Sequence, residues 1–547
     1  MCGRETCGTV PWSLRGIAMA TPNEKLAAAL EELRQLQATG ARVFESGQLG
    51  RTSRERLVDQ GFLQEVMRGW LLSSSPAAQP GDTTPWFASF WEFCRRYCDR
   101  QLGEAWHLSP EQSLLIHGEN TVIPTQVVVY STAANNNRID LLFGTSLFAL
   151  KQKAIPPARD LEVVTGLRVF RAEAALLRVS AEFFVQHPVE AQVVLGGIRE
   201  ASALLSRLLS GGHAVIAGRL AAAFRRLGQG AIADEIVATM KAADHDVREA
   251  DPFEVAAAPV AARRGVSPIV ARLRTLWASS RAPVLAECAK LRRQLGRATE
   301  ELRRVDGVYQ LDAYHSLSIE GYQVTPALVQ RVATGSWEPD RDPVDRETAN
   351  ALAARGYWLA FQRVRETTRG IVAAKGDPRP LRAAHRDWYR ELFSPHVAAG
   401  VLAPAMLAGY RDHLVYLRGS RHVPPRAEVV RDAMPALFDL IEQEPEPAVR
   451  AVLGHWLFGY VHPFPDGNGR IARFLMNSLL VAGGYPWTVI RVEQRDEYLA
   501  ALETASVAGD VRPFTEFVVA QLRQMPRVAK PRRPKRPAAR RRGSRSR

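Results

Sequence analysis

The feature that most constrains this chain is a helix broken near its C-terminal end. Val449–Val461 carries apolar residues at Leu453, Trp456, Leu457 and Tyr460, the spacing of an amphipathic helix. Pro463 and Pro465 forbid its continuation, since each lacks an N–H and its ring clashes with the preceding turn. His462 is therefore expected at the helix end, and Phe464 can anchor the loop in a core. Gly467 and Gly469 bracket Asn468, so a short turn with positive φ is available there and successive N–H groups can converge on one point. Helical spacing resumes over Ile471–Val481, at Ile471, Phe474, Leu475 and Leu479.

A glycine-rich turn opening a helix suits an anion, because the first N–H groups lack partners and the helix dipole favours negative charge. Arg470 and Arg473 stand three apart near that end and can fork onto phosphate oxygens. Asp466 is the one acid in the loop, and a carboxylate facing phosphates usually holds Mg²⁺. His462 is the group whose pKa suits general-base work near neutral pH. The set points to nucleotide binding beside a proton acceptor. No Gly-Lys-Ser/Thr follows, so it is not a P-loop.

The run His462-Pro-Phe-Pro-Asp-Gly-Asn-Gly-Arg-Ile-Ala-Arg473 resembles the Fic family motif at every fixed position. The resemblance extends over roughly Leu311–Leu522, where Asn477, Gly483–Pro486 and Arg495–Leu502 look like the family's downstream helices. It implies that His462 takes the proton from a target Ser, Thr or Tyr hydroxyl. Asp466 would carry Mg²⁺ between the α- and β-phosphates of ATP, with Asn468 and the backbone of Gly467 and Gly469 holding phosphates. Arg470 would meet the β- and Arg473 the γ-phosphate, and the product would be an AMP ester on a protein. Ser316-Leu-Ser-Ile-Glu-Gly321 resembles the family's inhibitory motif, placed N-terminal to the Fic core. It implies that Glu320 pairs with Arg473 in the γ-phosphate space. The ordinary alternative is a helix N-cap, Ser316, with a solvated Glu320.

Leu414–Pro425 holds two β-prone runs around a Gly-Ser turn, which predicts a hairpin. In the family this position is a flap that clamps an extended target by strand addition. Val415, Tyr416, Leu417, His422 and Val423 would then dock the target, unless the segment is a plain surface hairpin. His422 and His455 lack partners at ligand spacing and are expected to be ordinary polar side chains. Cys94 and Cys98 lie four apart on an expected helix, without a second Cys/His pair, so burial is expected rather than zinc.

The N-terminal block is expected to be mixed α/β. Lys25–Thr39 has helical spacing, Leu49–Gln60 is Arg-rich, and Phe62–Leu72 suits a hairpin with its turn at Arg68-Gly69. Helix, Arg-rich helix and hairpin is the order of a winged helix-turn-helix. The stretch from about Leu30 to Leu150 resembles AbiEi-like antitoxins, which implies DNA contact through Arg51, Arg54, Arg56 and the wing residue Arg68. The alternative is a small helical protein-interaction module. Gln126–Tyr130, Arg138–Phe143 and Ser146–Ala149 look like strands around an Asn-rich turn, and Ala172–Phe184 and Ala201–Leu209 look helical. Ser73–Thr84 and Val255–Ala262 read as linkers, while Ala286–Arg304 continues helical spacing.

The net charge is +15, but Arg527–Arg547 alone holds eleven Lys or Arg and no acid, so basicity belongs mostly to this tail. The tail cannot form a core and is expected to be disordered, either contacting nucleic acid or another acidic surface or simply solvated. Five cysteines, no apolar run long enough for a membrane span and no visible signal peptide point to a cytoplasmic protein. Met1 or Met19 could be the start.

The expected fold class is thus mainly α, with four segments. These are a winged helix-turn-helix over 22–80, a mixed α/β region over 85–250, an all-α Fic domain with a hairpin flap over 267–524, and the basic tail over 527–547. The expected activity is ATP- and Mg²⁺-dependent AMP transfer to a target protein, restrained by Glu320, with DNA as a further expected partner and no membrane. The rivals are a Fic enzyme that uses another nucleotide or removes AMP, and a DNA-binding regulator whose Fic domain senses nucleotide.

Overall fold

Apolar residues recurring every three or four positions make the C-terminal half a set of packed helices. In the computed structural model they run Pro268–Ala289, Ala298–Ile319, Pro326–Ala333, Ala349–Ala373, Leu381–Ala398, Ala427–Gln443, Pro447–Val461, Asn468–Ala482, Arg495–Ala508 and Arg512–Gln524. The structure describes residues 21–77, 81–253, 266–291, 297–335 and 349–524. The linker Val255–Ala262, the start at Met1 or Met19 and the basic tail Arg527–Arg547 lie outside the described residues. The helical spacing over Ala286–Arg304 is divided between Pro268–Ala289 and Ala298–Ile319.

The helix before the break differs from its expectation. It buries residues on every side, from Ala448 through Val461, because only Arg450 and His455 interrupt its apolar sequence. A helix apolar all round belongs in the centre of a fold rather than on its surface. It packs against Asn468–Ala482, which is buried nearly as completely, so the loop between them is held from two sides by the core.

The N-terminal half is α/β. Helix Pro22–Gln37 starts at a capping box in which Thr21 and Glu24 satisfy each other's backbone N–H groups. Strand Val43–Glu45, a 3-10 turn at Ser46–Gln48, helix Arg51–Asp59 and the hairpin Leu63–Met67/Trp70–Ser73 follow. The hairpin turns at Arg68-Gly69, with Gly69 at φ 90°, as its sequence suggests. Val43–Glu45 joins it as a third strand, antiparallel to Trp70–Ser73. This order alone does not assign DNA binding.

A second sheet orders Trp106–Leu108, Gln126–Ser131, Ser146–Lys151 and Asn137–Asp140 side by side. Gln126–Ser131 and Ser146–Lys151 run parallel. The strand expected over Arg138–Phe143 stops at Asp140, because Leu142–Gly144 turns with Phe143 at φ 51°. Leu161–Val164 and Leu167–Phe170 form a separate hairpin. The helical stretch expected over Ala172–Phe184 is two short helices, Ala172–Leu176 and Glu182–Gln186, and the other expected helix is Ser202–Gly211. Cys94 and Cys98 are buried on helix Thr84–Leu102. Among the described residues no helix is long and apolar enough to cross a membrane.

The predicted flap hairpin is not formed. Leu414–Pro425 has no ladder of its own; it turns at Arg418-Gly419 and lies against the N-terminal half. Gly419 N donates to Thr83 Oγ1 at 3.1 Å and the Tyr416 hydroxyl to Ala88 O at 3.5 Å. Ile123 N donates to Arg421 O at 2.8 Å, Arg421 Nε returns a bond of 2.8 Å to Ile123 O, and Val122 bridges His422 antiparallel. The β-prone residues thus find backbone partners in another part of the chain, which removes the need to pair with each other.

The two halves also share a buried ion pair. Arg272 donates to Glu190 Oε1 at 2.8 Å, to Gly118 O at 3.0 Å and to the Tyr460 hydroxyl at 2.7 Å. Both charged side chains are under a tenth exposed. Asn120 donates a further 2.8 Å bond to Glu190.

Candidate functional site

The broken helix ends as its sequence requires. His462 follows Val461 as the C-cap, at φ 50° and ψ 60°. Its Nδ1 faces Gly459 O at 3.3 Å, so Nδ1 carries the proton and Nε2 the lone pair. Burial pushes the imidazole down to about 4, helped by the Arg411 charge and opposed by Gly459 O, Glu320 and Asp466. The ring is neutral at pH 7.

The loop beyond is fixed by Phe464, which is fully buried and stacks on Tyr389 at 4.1 Å. Both ends of the Asn468 side chain are spent on this residue: Oδ1 accepts from Phe464 N at 2.9 Å and Nδ2 donates to Phe464 O at 2.8 Å. Asn468 therefore shapes the turn, with both polar ends of its side chain already partnered. Gly467 stands at φ 75°, and a Cβ there would come within 2.9 Å of the Phe393 ring, so no other residue fits the turn without displacement. Having no side chain, Gly467 leaves the N-terminus of Asn468–Ala482 without a side-chain cap.

Two arginines rise from that first turn into different surroundings. Arg470 is 1% exposed and lies between the rings of Tyr322 and Phe393, at 5.3 and 5.1 Å. Its Nη2 reaches Asp466 Oδ2 at 3.4 Å, while its buried Nε and Nη1 have no hydrogen-bond partner among the described residues. A buried guanidinium with vacant donors is costly unless an anion completes it. Asp466 itself sits at the rim with 55% of its side chain exposed.

Arg473 is already engaged. Its Nε donates to Ser316 Oγ at 2.9 Å, and its Nη2 to Ser316 O at 3.0 Å and Glu320 Oε1 at 2.7 Å. Burial works to raise the Glu320 carboxyl, but the charges of Arg473 and Arg470 and the Arg473 hydrogen bond together hold it below its ordinary value. The carboxylate rests against the helix start: a Cβ on Gly469 would lie 2.4 Å from Glu320 Oε1. Ser316 is no N-cap, since Ala298–Ile319 runs through it and ends at Glu320. Gly321 at φ 91° donates to Ser318 O, and Tyr322 N donates to Leu317 O, which closes the helix as a Schellman motif. Ser316 and Glu320 thus converge on Arg473 from one helix end, which Gly321 closes.

Other residues singled out from the sequence lie elsewhere. His422 is buried, stacked on Tyr460 at 4.1 Å with Nε2 2.9 Å from Tyr460 O, and burial pushes it down to about 3. Val423 packs against the core of the N-terminal strands, and Val415, Tyr416 and Leu417 are half-buried. Arg51 pairs with Glu55, Arg54 donates to Ser46 O and Arg56 to Lys25 O, while Arg68 is exposed at its turn. Asn477 braces Thr488 N and O, and His455 meets the Tyr498 hydroxyl. No group of three or more His, Cys, Asp or Glu placed to hold a metal occurs among the described residues. One exposed carboxylate, Asp466, is nevertheless compatible with Mg²⁺, which keeps waters and takes substrate oxygens.

The sequence did not reveal Arg411, Tyr322 or Phe393. Each is distant in sequence from the motif and belongs to no local pattern. The assembled site offers a neutral imidazole, a helix start with no side-chain cap and a buried guanidinium with unused donors, a set that suits a polyanion once the Glu320 carboxylate moves aside.

Residues 377–480 match the Fic/DOC family. A protein adenylyltransferase Fic of Nematostella vectensis is 42% identical over 119 residues, covering 21% of this chain and 27% of that protein. One of Drosophila willistoni is 30% identical over 230 residues, covering 40% and 42%. The chain thus spans less than half the length of these curated relatives. Among solved structures, a Fic-1 fragment from C. elegans aligns at 22% identity with a TM-score of 0.35, covering 61% of this chain and 92% of that one.

Proposed function

The chain is a Fic-domain protein, and from that premise we propose that it is a protein adenylyltransferase, moving AMP from ATP to a Ser, Thr or Tyr hydroxyl of a target protein, with Glu320 as its brake. The observation that carries this reading is Arg470, whose buried Nε and Nη1 lack partners beside an uncapped helix N-terminus. A triphosphate satisfies those donors and the first-turn N–H groups together.

His462 Nε2 accepts the proton of the incoming hydroxyl, whose oxygen attacks the α-phosphorus. The bond from that phosphorus to the bridging oxygen breaks and pyrophosphate leaves. Asp466 is the residue that would hold Mg²⁺, which when bound neutralises phosphate charge. Arg470 meets the β-phosphate, and Arg473 meets the γ-phosphate once Glu320 releases it. While Glu320 holds Arg473 at 2.7 Å, a carboxylate lies where a phosphate must come. Catalysis is then positioning plus charge neutralisation.

The test is transfer of label from α-labelled ATP to protein. The Glu320→Gly variant should transfer at least tenfold faster than the native chain, and His462→Ala in that background should transfer nothing. Transfer retained without His462 would remove its role as base. A preference for another nucleotide in competition, or release of AMP from modified protein, would favour the other Fic chemistries. No transfer by Glu320→Gly, together with a salt-dependent shift of DNA mobility, would favour a DNA-bound nucleotide sensor.

A further inference from the structure

We infer that Arg411 is a positioning residue for His462, an inference that rests on the transfer reading above for its kinetic consequence. Arg411 is 3% exposed, and burial of its charge is eased by that of Glu428. Its guanidinium goes entirely to backbone oxygens. Nε donates to His462 O at 2.8 Å, Nη1 to His413 O at 2.9 Å, and Nη2 to Val461 O at 3.3 Å and to Pro425 O. Its own N–H donates to Pro463 O at 2.9 Å.

These bonds act on the least favourable point of the catalytic loop. A non-glycine residue in the left-handed region is disfavoured by the clash of its Cβ with the backbone, and His462 is held there at φ 50°. A helix end also leaves carbonyls without intrahelical donors. Phe458 O is taken by His462 N and Gly459 O by the imidazole, while Val461 O and His462 O are taken by Arg411. A buried cation at the negative end of the helix dipole is favourable for the same reason. Arg411 therefore completes the cap that keeps His462 twisted and its Nδ1 on Gly459 O, which leaves Nε2 to the incoming hydroxyl. The same guanidinium spans His413 and Pro425, the two ends of the segment that the N-terminal half grips, so the placement of His462 depends on that segment.

The experiment compares Arg411→Met and Arg411→Lys, each in the Glu320→Gly full-length chain. Arg411→Met should lower kcat for AMP transfer at least thirtyfold while KM for ATP changes less than threefold. Arg411→Lys, which keeps the charge but offers fewer directed donors, should recover part of that loss. Carbethoxylation of His462 by diethyl pyrocarbonate, followed by mass spectrometry, reads the imidazole without reference to transfer. Its rate should change at least fivefold in Arg411→Met. An unchanged kcat, or equal losses in kcat and ATP affinity with an unchanged His462 labelling rate, overturns the inference. Absence of transfer in the parent Glu320→Gly chain would instead count against the proposed activity. The labelling rate would then decide the role of Arg411 by itself.

Discussion

The site is enclosed on two sides by different means. On one side Ala298–Ile319 delivers Ser316 and Glu320 to Arg473, so the contact is one ion pair with a serine hydroxyl beside it. On the other, the segment Leu414–Pro425 is held to the N-terminal half by backbone bonds at Gly419, Arg421 and Ile123 and by the packing of Val423. A charge pair can be undone by removing one carboxylate, or by a competing anion that engages the same arginine. A backbone clamp distributed over several residues yields only when the halves separate. The first closure rests on one ion pair, and the second is a wall spread over several backbone contacts.

The largest expected effect lies under the wall. Glu190→Gln leaves Arg272 buried without its counter-charge, which should cost about 3–5 kcal/mol in a denaturant titration. It should also expose Leu414–Pro425 to limited proteolysis; equal protection in the variant would separate the wall from the ion pair. Next comes the helix Ala298–Ile319. Burial raises the Asp312 carboxyl to about 6, against the Tyr357 hydroxyl bond, the neighbouring Trp487 indole and the Arg473 charge that lower it. The folded value lies above the unfolded one, so this group's stabilising contribution is full below about pH 4 and fades as pH rises through 6. Its span is about 3 kcal/mol. Asp312→Asn should flatten the stability profile over that window, and an unchanged slope would mean that other groups dominate.

Smaller effects sharpen the contrast. Gly321→Ala forces a side chain into φ 91° and should cost about 1 kcal/mol in thermal unfolding. It should loosen Glu320 as well, seen as faster AMP transfer; slower transfer would mean that the Schellman closure does not support the brake. Thr83→Val removes one acceptor of the distributed clamp and should cost less than about 1 kcal/mol. A loss several times larger would show that the wall hangs on a single bond.

The residues of the broken helix were legible because their constraints are local. Proline stops a helix, glycine admits positive φ, and Gly321 ends Ala298–Ile319 for the same reason. The hairpin at Arg68-Gly69 was legible too. The flap was not, since β-prone runs state only a preference for extended backbone and leave the partner open. Nor was Asn468 readable as a loop clamp, because an amide at that position could equally have faced a phosphate.

By itself, then, the sequence determined where the chain must break and which residues can stand at the break. These follow from bond geometry and from hydrogen-bonding groups within a few residues of each other. Only the tertiary structure decided that Glu320 lies against Gly469, that Arg411 caps the helix ending at His462, and that the N-terminal half covers Leu414–Pro425. Contacts between residues far apart in the chain depend on how whole helices pack, and no local spacing encodes that choice.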